Sequence, residues 1–194
     1  MEVALAYDAS LDAYRFDGAH PLRPERVKLS VALMDAYGLV SPSHLEPIAF
    51  GPAGREELER VHRADYIDAV NGCSRDGTPA PEYGIGPGDT PAFAGMHDAS
   101  ARIAGATSAV VAAVCDGRYR RALSPAGGLH HAHRERAAGF CVYNDIAIGI
   151  AAALAKDSAL RVAYIDIDAH HGDGVQEAFY HEPRVFTISL HEDG

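Results

Sequence analysis

The sequence predicts an α/β fold: a mostly parallel sheet with helices on both faces. Three observations carry this. Short apolar runs at residues 3–7, 162–167 and 184–190 lack the polar alternation of a half-exposed strand. Helical patterns at residues 25–37, 98–115 and 145–156 alternate with those runs, as in βαβ units. Finally, acids and histidines crowd the end of one apolar run, and parallel sheets present their chemistry at strand carboxyl ends.

Taken in order, VALAY at residues 3–7 reads as a first buried strand, followed by HPLRPER at residues 20–26, where two prolines delay helix until Pro24 can start one. Val27, Val31 and Met34 then form a helical stripe that Gly38 ends. Arg26 sits at the helix start, where a cation gains nothing from the dipole, so it either points at an anion or is solvated. Residues 47–50 read as a short edge strand, and residues 56–61 and 66–70 as helix. Residues 71–95 are rich in Gly and Pro without periodicity, the signature of a functional rim, with Asp89 in its GPGDTP turn. Asp98 is expected to cap a helix reaching Cys115, and residues 121–124 form a brief strand. The stretch PAGGLHHAH follows: Gly127 and Gly128 permit close backbone approach, and His130 and His131 are adjacent, whereas His133 reads as surface. Asn144 is a good N-cap for the helix at residues 145–156. Residues 175–180 read as a short helix, and RVFTISL at residues 184–190 as a further buried strand.

The organising stretch is RVAYIDIDAHHGDG, residues 161–174. In an extended segment Asp166, Asp168 and His170 point to one side, so a carboxylate and an imidazole can converge on one divalent cation. A catalytic zinc takes three protein ligands and an open position, so a third ligand has to come from elsewhere. At 194 residues and 47% hydrophobic, the chain is the size of one domain with a real core. A net charge of −10 disfavours nucleic acid and mildly favours a cationic, lysine-bearing partner. No apolar stretch is long enough for a membrane span and no leader is evident, so a cytoplasmic protein is expected; Cys73, Cys115 and Cys141 lack CxxC spacing, which fits a reducing compartment.

With GGLHHA, GFCVYND and DIDAHHGDGVQEAF in this order, the sequence resembles the zinc-dependent histone deacetylase family; HPLRPER and GDTPAF bring it nearest the bacterial acetoin-utilisation branch. The resemblance implies an arginase/deacetylase-like domain of which residues 1–194 are the N-terminal portion. It implies Asp168 and His170 as metal ligands, with zinc or ferrous iron, and His130 and His131 as a dyad oriented by Asp166 and Asp173. It further implies that Gly139 and Phe140 line an acyl-lysine tunnel, that Asp89 grips substrate at the rim, and that Arg26 handles acetate. Backbone carbonyls of Asp166, Asp168 and His170, with Ser189 and Leu190, would hold a structural potassium ion. The chemistry agrees: an amide needs a Lewis acid on its carbonyl and a base on the attacking water. One histidine, His131, serves as base and then acid, and His130 steadies developing charge.

Family members are longer, and their third ligand, an aspartate, and an oxyanion-stabilising tyrosine come from a part that cannot be mapped onto this chain. The family's sheet also sets strands of that part between the early strands and the Asp168 strand, so a gap is expected in mid-sheet, with unpaired backbone and exposed apolar faces. A truncated or split deacetylase, met by a complementary C-terminal chain, would account for this. Two alternatives are an arginase-type ureohydrolase, suggested by DAH at residues 168–170 but lacking an acid where Gly172 stands, and a non-catalytic remnant that binds an acylated ligand.

Overall fold

In a computed structural model describing residues 3–18, 20–41 and 44–192, β1 (Val3–Leu5) is the middle strand of a three-stranded parallel sheet. Ala4 and Leu5 are buried between β2 (Leu45–Pro47) and β3 (Arg121–Leu123), with Val3 in register with both Leu45 and Arg121. β2 lies at the edge, two residues earlier than its sequence pattern suggests, and its Pro47 is tolerated there because an edge strand can spare a donor.

α1 (Glu25–Ala36) starts after Pro24 and ends before Gly38 at φ 70°. Only Val31 of its stripe is fully buried, and Leu29, Leu33 and Tyr37 face outward. α2 (Arg55–Glu59) and α3 (Ala64–Asp76) follow, so helix continues six residues into the stretch expected to be loop. α4 (Met96–Cys115) starts from Gly95, and Asp98 falls inside its first turn instead of capping it. α5 (Asp145–Lys156) packs against α4, and Gly149 lets Val111 approach closely.

β4 (Val162–Asp166) and β5 (Val185–Ser189) form a separate parallel pair, with α6 (Asp173–Phe179) between them in sequence. Ile150, Leu154, Val175, Phe179 and Val185 make the small core on its inner side. The outer side is bare: Ile165 is 61% and Phe186 67% exposed, and Ile167 and Leu190 are open just past the strand ends. Neither strand is therefore covered on both faces as its unbroken apolar run predicts. Among the described residues no strand joins β3 to β4, which is the expected mid-sheet gap, and it leaves that apolar face without a partner. No helix of the described residues is long and apolar enough to cross a membrane.

One buried histidine ties the α2–α3 corner to the loops beneath. His62 donates from Nδ1 to the His133 carbonyl (2.9 Å) and accepts at Nε2 from the Asn144 N–H (3.0 Å), which uses both nitrogens of a neutral ring. Burial lowers its pKa from 6.5 to about 4. Above pH 6.5 folded and unfolded chains both hold it neutral. Below that the unfolded chain takes a proton that the fold refuses. Denaturant midpoints measured across pH are therefore expected to fall between 6.5 and about 4, by about 3 kcal/mol at most, with His62→Gln removing that part of the slope.

Candidate active site

The site is built on the irregular segment after β3, and the start of α5 holds that segment in place. Asp145 is fully buried and accepts from the N–H groups of Gly128 (3.1 Å) and Leu129 (2.7 Å) and from the Thr107 hydroxyl (2.5 Å). Burial raises its pKa, and those donors oppose the rise. Asn144 caps α5 by accepting from the Ala147 N–H, and its amide donates to the carbonyls of His130 (3.3 Å) and Ala132 (3.0 Å). Two consecutive side chains thus fix the backbone on either side of His130 and His131.

The two imidazoles lie side by side, ring centroids 4.1 Å apart. His130 Nδ1 donates to Asp166 Oδ2 (2.6 Å) and His131 Nδ1 donates to Asp173 Oδ1 (2.7 Å), which leaves each Nε2 for chemistry. Burial works against the charge of Asp166. The donors His130, Tyr164 and the Asp168 N–H outweigh it and hold the carboxyl below the usual range. Asp173 is lowered likewise: burial is again overcome, chiefly by His131.

Asp168 and His170 do not continue the strand. β4 ends at Asp166, and the next residues turn, so alternation does not bring the three side chains together: Asp166 turns to His130, while Asp168 and His170 meet each other. His170 Nδ1 lies 3.0 Å from Asp168 Oδ1, and His130 Nε2 is 4.0 Å from that same oxygen. Both side chains are open, at 53% for Asp168 and 78% for His170.

A cavity of about 580 Å³ runs past the pair. Its walls include Asp89, Gly139 and Phe140 together with Arg26, so the structure brings all four expected substrate-contacting residues to one space. Phe140 has φ 71°, a strained backbone for a residue with a side chain. Thr90 accepts from its N–H (3.2 Å) and Tyr14 donates to its carbonyl (2.5 Å), which holds the strain in place. Gly139 must be glycine: a Cβ there would lie 2.3 Å from His131 Cδ2. Cys141 lines the cavity too, but burial pushes its thiol up to about 12, so it stays protonated. Ser189 pairs in register with Asp166, and the Leu190 N–H donates to the Asp166 carbonyl (2.9 Å), which sets both residues behind the turn.

His133 is a correction, because it is buried and not on the surface. Its Nδ1 donates to Glu177 Oε2 (2.6 Å), its Nε2 meets Arg136 (3.0 Å), and Asp173 Oδ2 lies 3.3 Å away. Tyr164, Asp145, Tyr14 and Thr90 also escaped the sequence reading. Only Tyr164 carried a signal: it stands two residues before Asp166 on one strand and so shares its face.

A family model described as the histone deacetylase domain matches residues 20–194. The chain belongs to the histone deacetylase family. It is 44% identical over 191 residues to the acetoin utilization protein AcuC of Bacillus subtilis, covering 97% of this chain and 49% of that protein. It is 36% identical to histone deacetylase RPD3 of Saccharomyces cerevisiae, covering 99% of this chain and 44% of that one. The crystal structure of an HDAC homolog from Aquifex aeolicus matches with a TM-score of 0.85 at 37% identity, over 99% of this chain and 51% of the other. A structure of an HDAC homolog complexed with SAHA matches at 0.87 and 37% identity, over 100% and 52%. This member of the histone deacetylase family spans about half the length of the curated relatives it matches. The resemblance to the acetoin-utilisation branch and the parallel α/β architecture are both borne out.

The grip of Asp145 on the histidine-bearing segment sets an expectation for stability. Asp145→Ala leaves the buried Leu129 N–H without its acceptor and takes the carboxylate from the part-buried Gly128 N–H and from the Thr107 hydroxyl, and urea melts are expected to show a loss of about 3 kcal/mol.

Proposed function

We propose that this chain supplies the proton-transfer half of a metal-dependent amidohydrolase that removes acetyl groups from lysine side chains or a related acylated amine. The observation that carries the reading is the pair of imidazoles, each on its own carboxylate, facing a cavity that Phe140 walls. His131 takes a proton at Nε2 and returns it to the departing amine, while its Nδ1–H on Asp173 fixes the tautomer. His130, anchored deeper on Asp166, acts as the imidazolium, its Nε2–H donating to the negative charge that develops on the carbonyl oxygen. Asp89 grips the substrate at the rim, Gly139 and Phe140 flank the acyl-lysine methylenes, and Arg26 meets the acetate.

The donors fit a divalent cation. Asp168 Oδ1 and His170 Nδ1 are 3.0 Å apart, near the ~3.3 Å that separates two ligands on tetrahedral zinc. When bound, zinc or ferrous iron supplies Lewis acidity to the amide carbonyl and acidifies water. Among the described residues no third His, Cys, Asp or Glu joins the pair. We assign the third ligand and an oxyanion-stabilising tyrosine to polypeptide outside these 194 residues, whether continuous with this chain or a complementary chain. A structural potassium ion would sit on carbonyls of Asp166, Asp168 and His170 with Ser189 and Leu190, which the β4–β5 pairing supports. The arginase-type alternative is disfavoured at Gly172, because a Cβ there would lie 2.2 Å from Asp166 Oδ2 and a further carboxylate has no room. Cys73, Cys115 and Cys141 are free thiols, which suits a cytoplasmic setting.

Turnover of an acetyl-lysine peptide by the zinc-loaded chain, supplied with the polypeptide that carries the third ligand and the tyrosine, tests the assignment. His131→Ala is expected to lower kcat about 1,000-fold and His130→Ala about 100-fold; retention of wild-type turnover by both overturns it. By equilibrium dialysis the 194-residue chain alone is expected to hold zinc weakly, with Asp168→Ala abolishing that binding; tight stoichiometric zinc together with full turnover would sink the two-ligand reading.

A further inference from the structure

The acid behind His130 has a partner that the proposed chemistry does not use. Tyr164 and Asp166 are alternate residues of β4 and point to the same side of the strand. The Tyr164 hydroxyl donates to Asp166 Oδ2, the same oxygen that receives His130 Nδ1–H, while Asp166 Oδ1 takes the Asp168 N–H at 3.0 Å. The turn at Gly172 closes over the pair: a Cβ there would lie 2.2 Å from Asp166 Oδ2 and 3.1 Å from the Tyr164 hydroxyl. The carboxylate is 6% exposed and so nearly sealed from solvent. Asp173, the partner of His131, has no tyrosine on it and is 43% exposed. A phenylalanine would pack as well in this place, so the hydroxyl is what needs a reason.

We infer that Tyr164 is a positioning residue: it locks the Asp166 carboxylate in the one orientation that keeps His130 Nδ1–H engaged and aims His130 Nε2 toward Asp168. The inference deepens the deacetylase reading and rests on it for its kinetic consequence, but its structural part can be measured without turnover. The hydroxyl has no direct path to substrate, because it acts through Asp166 and then His130, and Tyr164 is not among the residues that line the cavity.

The test compares the wild-type chain with Tyr164→Phe, which keeps the ring and its packing. Proton exchange with water at His130 Nδ1–H, followed by NMR on 15N-histidine-labelled protein, is expected to run at least 10-fold faster in the variant. On the acetyl-lysine peptide, with the polypeptide that carries the third ligand and the tyrosine supplied, kcat is expected to fall about 10-fold with KM unchanged. Unchanged exchange at His130 overturns the proposal, whatever kcat does. Faster exchange, with no peptide turned over by either form even when the polypeptide that carries the third ligand and the tyrosine is supplied, upholds the positioning role and refutes the deacetylase reading instead. Should Tyr164→Phe fail to fold, 3-fluorotyrosine placed at 164 keeps the ring and makes the hydroxyl a stronger donor. Slower exchange at His130 is then expected, and exchange equal to or faster than wild type overturns the inference.

Discussion

The site depends first on a buried carboxylate that does no chemistry. The segment from Gly127 to Ala132 has no ladder or helix to satisfy its backbone, and buried N–H groups without acceptors are costly. Asp145 accepts from the buried Leu129 N–H and from the Gly128 N–H before it, and Asn144 turns the other way to donate to two carbonyls. Because both side chains begin α5, and α5 is packed along α4, the long helix pair sets the coordinates of His130 and His131. The histidines are placed by their backbone before any acid orients their rings. Asp166 and Asp173 then finish the task by choosing the tautomer.

Much of this was legible in the residues. The parallel strands and the starts of α1 and α5 follow from apolar runs, prolines and an Asn cap, whereas the pairing of the dyad with its two acids and the gap in the sheet came from the family resemblance. What was not legible has physical causes. The strand through Ile165 and the one through Phe186 look buried because their sequences are uninterrupted, but burial needs a neighbour, and none of the described residues covers that face. His133 looked like surface because a histidine among arginines usually is. Its burial depends on Glu177, 44 residues later, turning back from α6. Asp168 and His170 kept their meeting but not its predicted cause: the strand ends at Asp166, and a turn joins them where extended alternation was expected. The roles of Thr90 and Tyr14 depend on the left-handed backbone at Phe140, which no local pattern announces.

The left-handed residue deserves comparison with the glycine before it. Gly139 is small so that His131 can stand against it, whereas Phe140 is large in a conformation that small residues prefer. Holding that conformation costs of order 1 kcal/mol, and Thr90 and Tyr14 offset it from opposite sides. The direction in which the phenylalanine leaves the backbone is therefore set by torsions that Thr90 and Tyr14 hold.

Each imidazole stands on the connection that follows β3, whereas Asp166 ends β4 and Asp173 begins α6 after it, and β3 and β4 share no hydrogen bonds. The two histidine–carboxylate contacts are thus also rivets between two sheets that share no strand pairing. Detachment of one sheet from the other would separate every base from its acid in a single event, so such a loosened intermediate would be chemically silent, however much native secondary structure it kept.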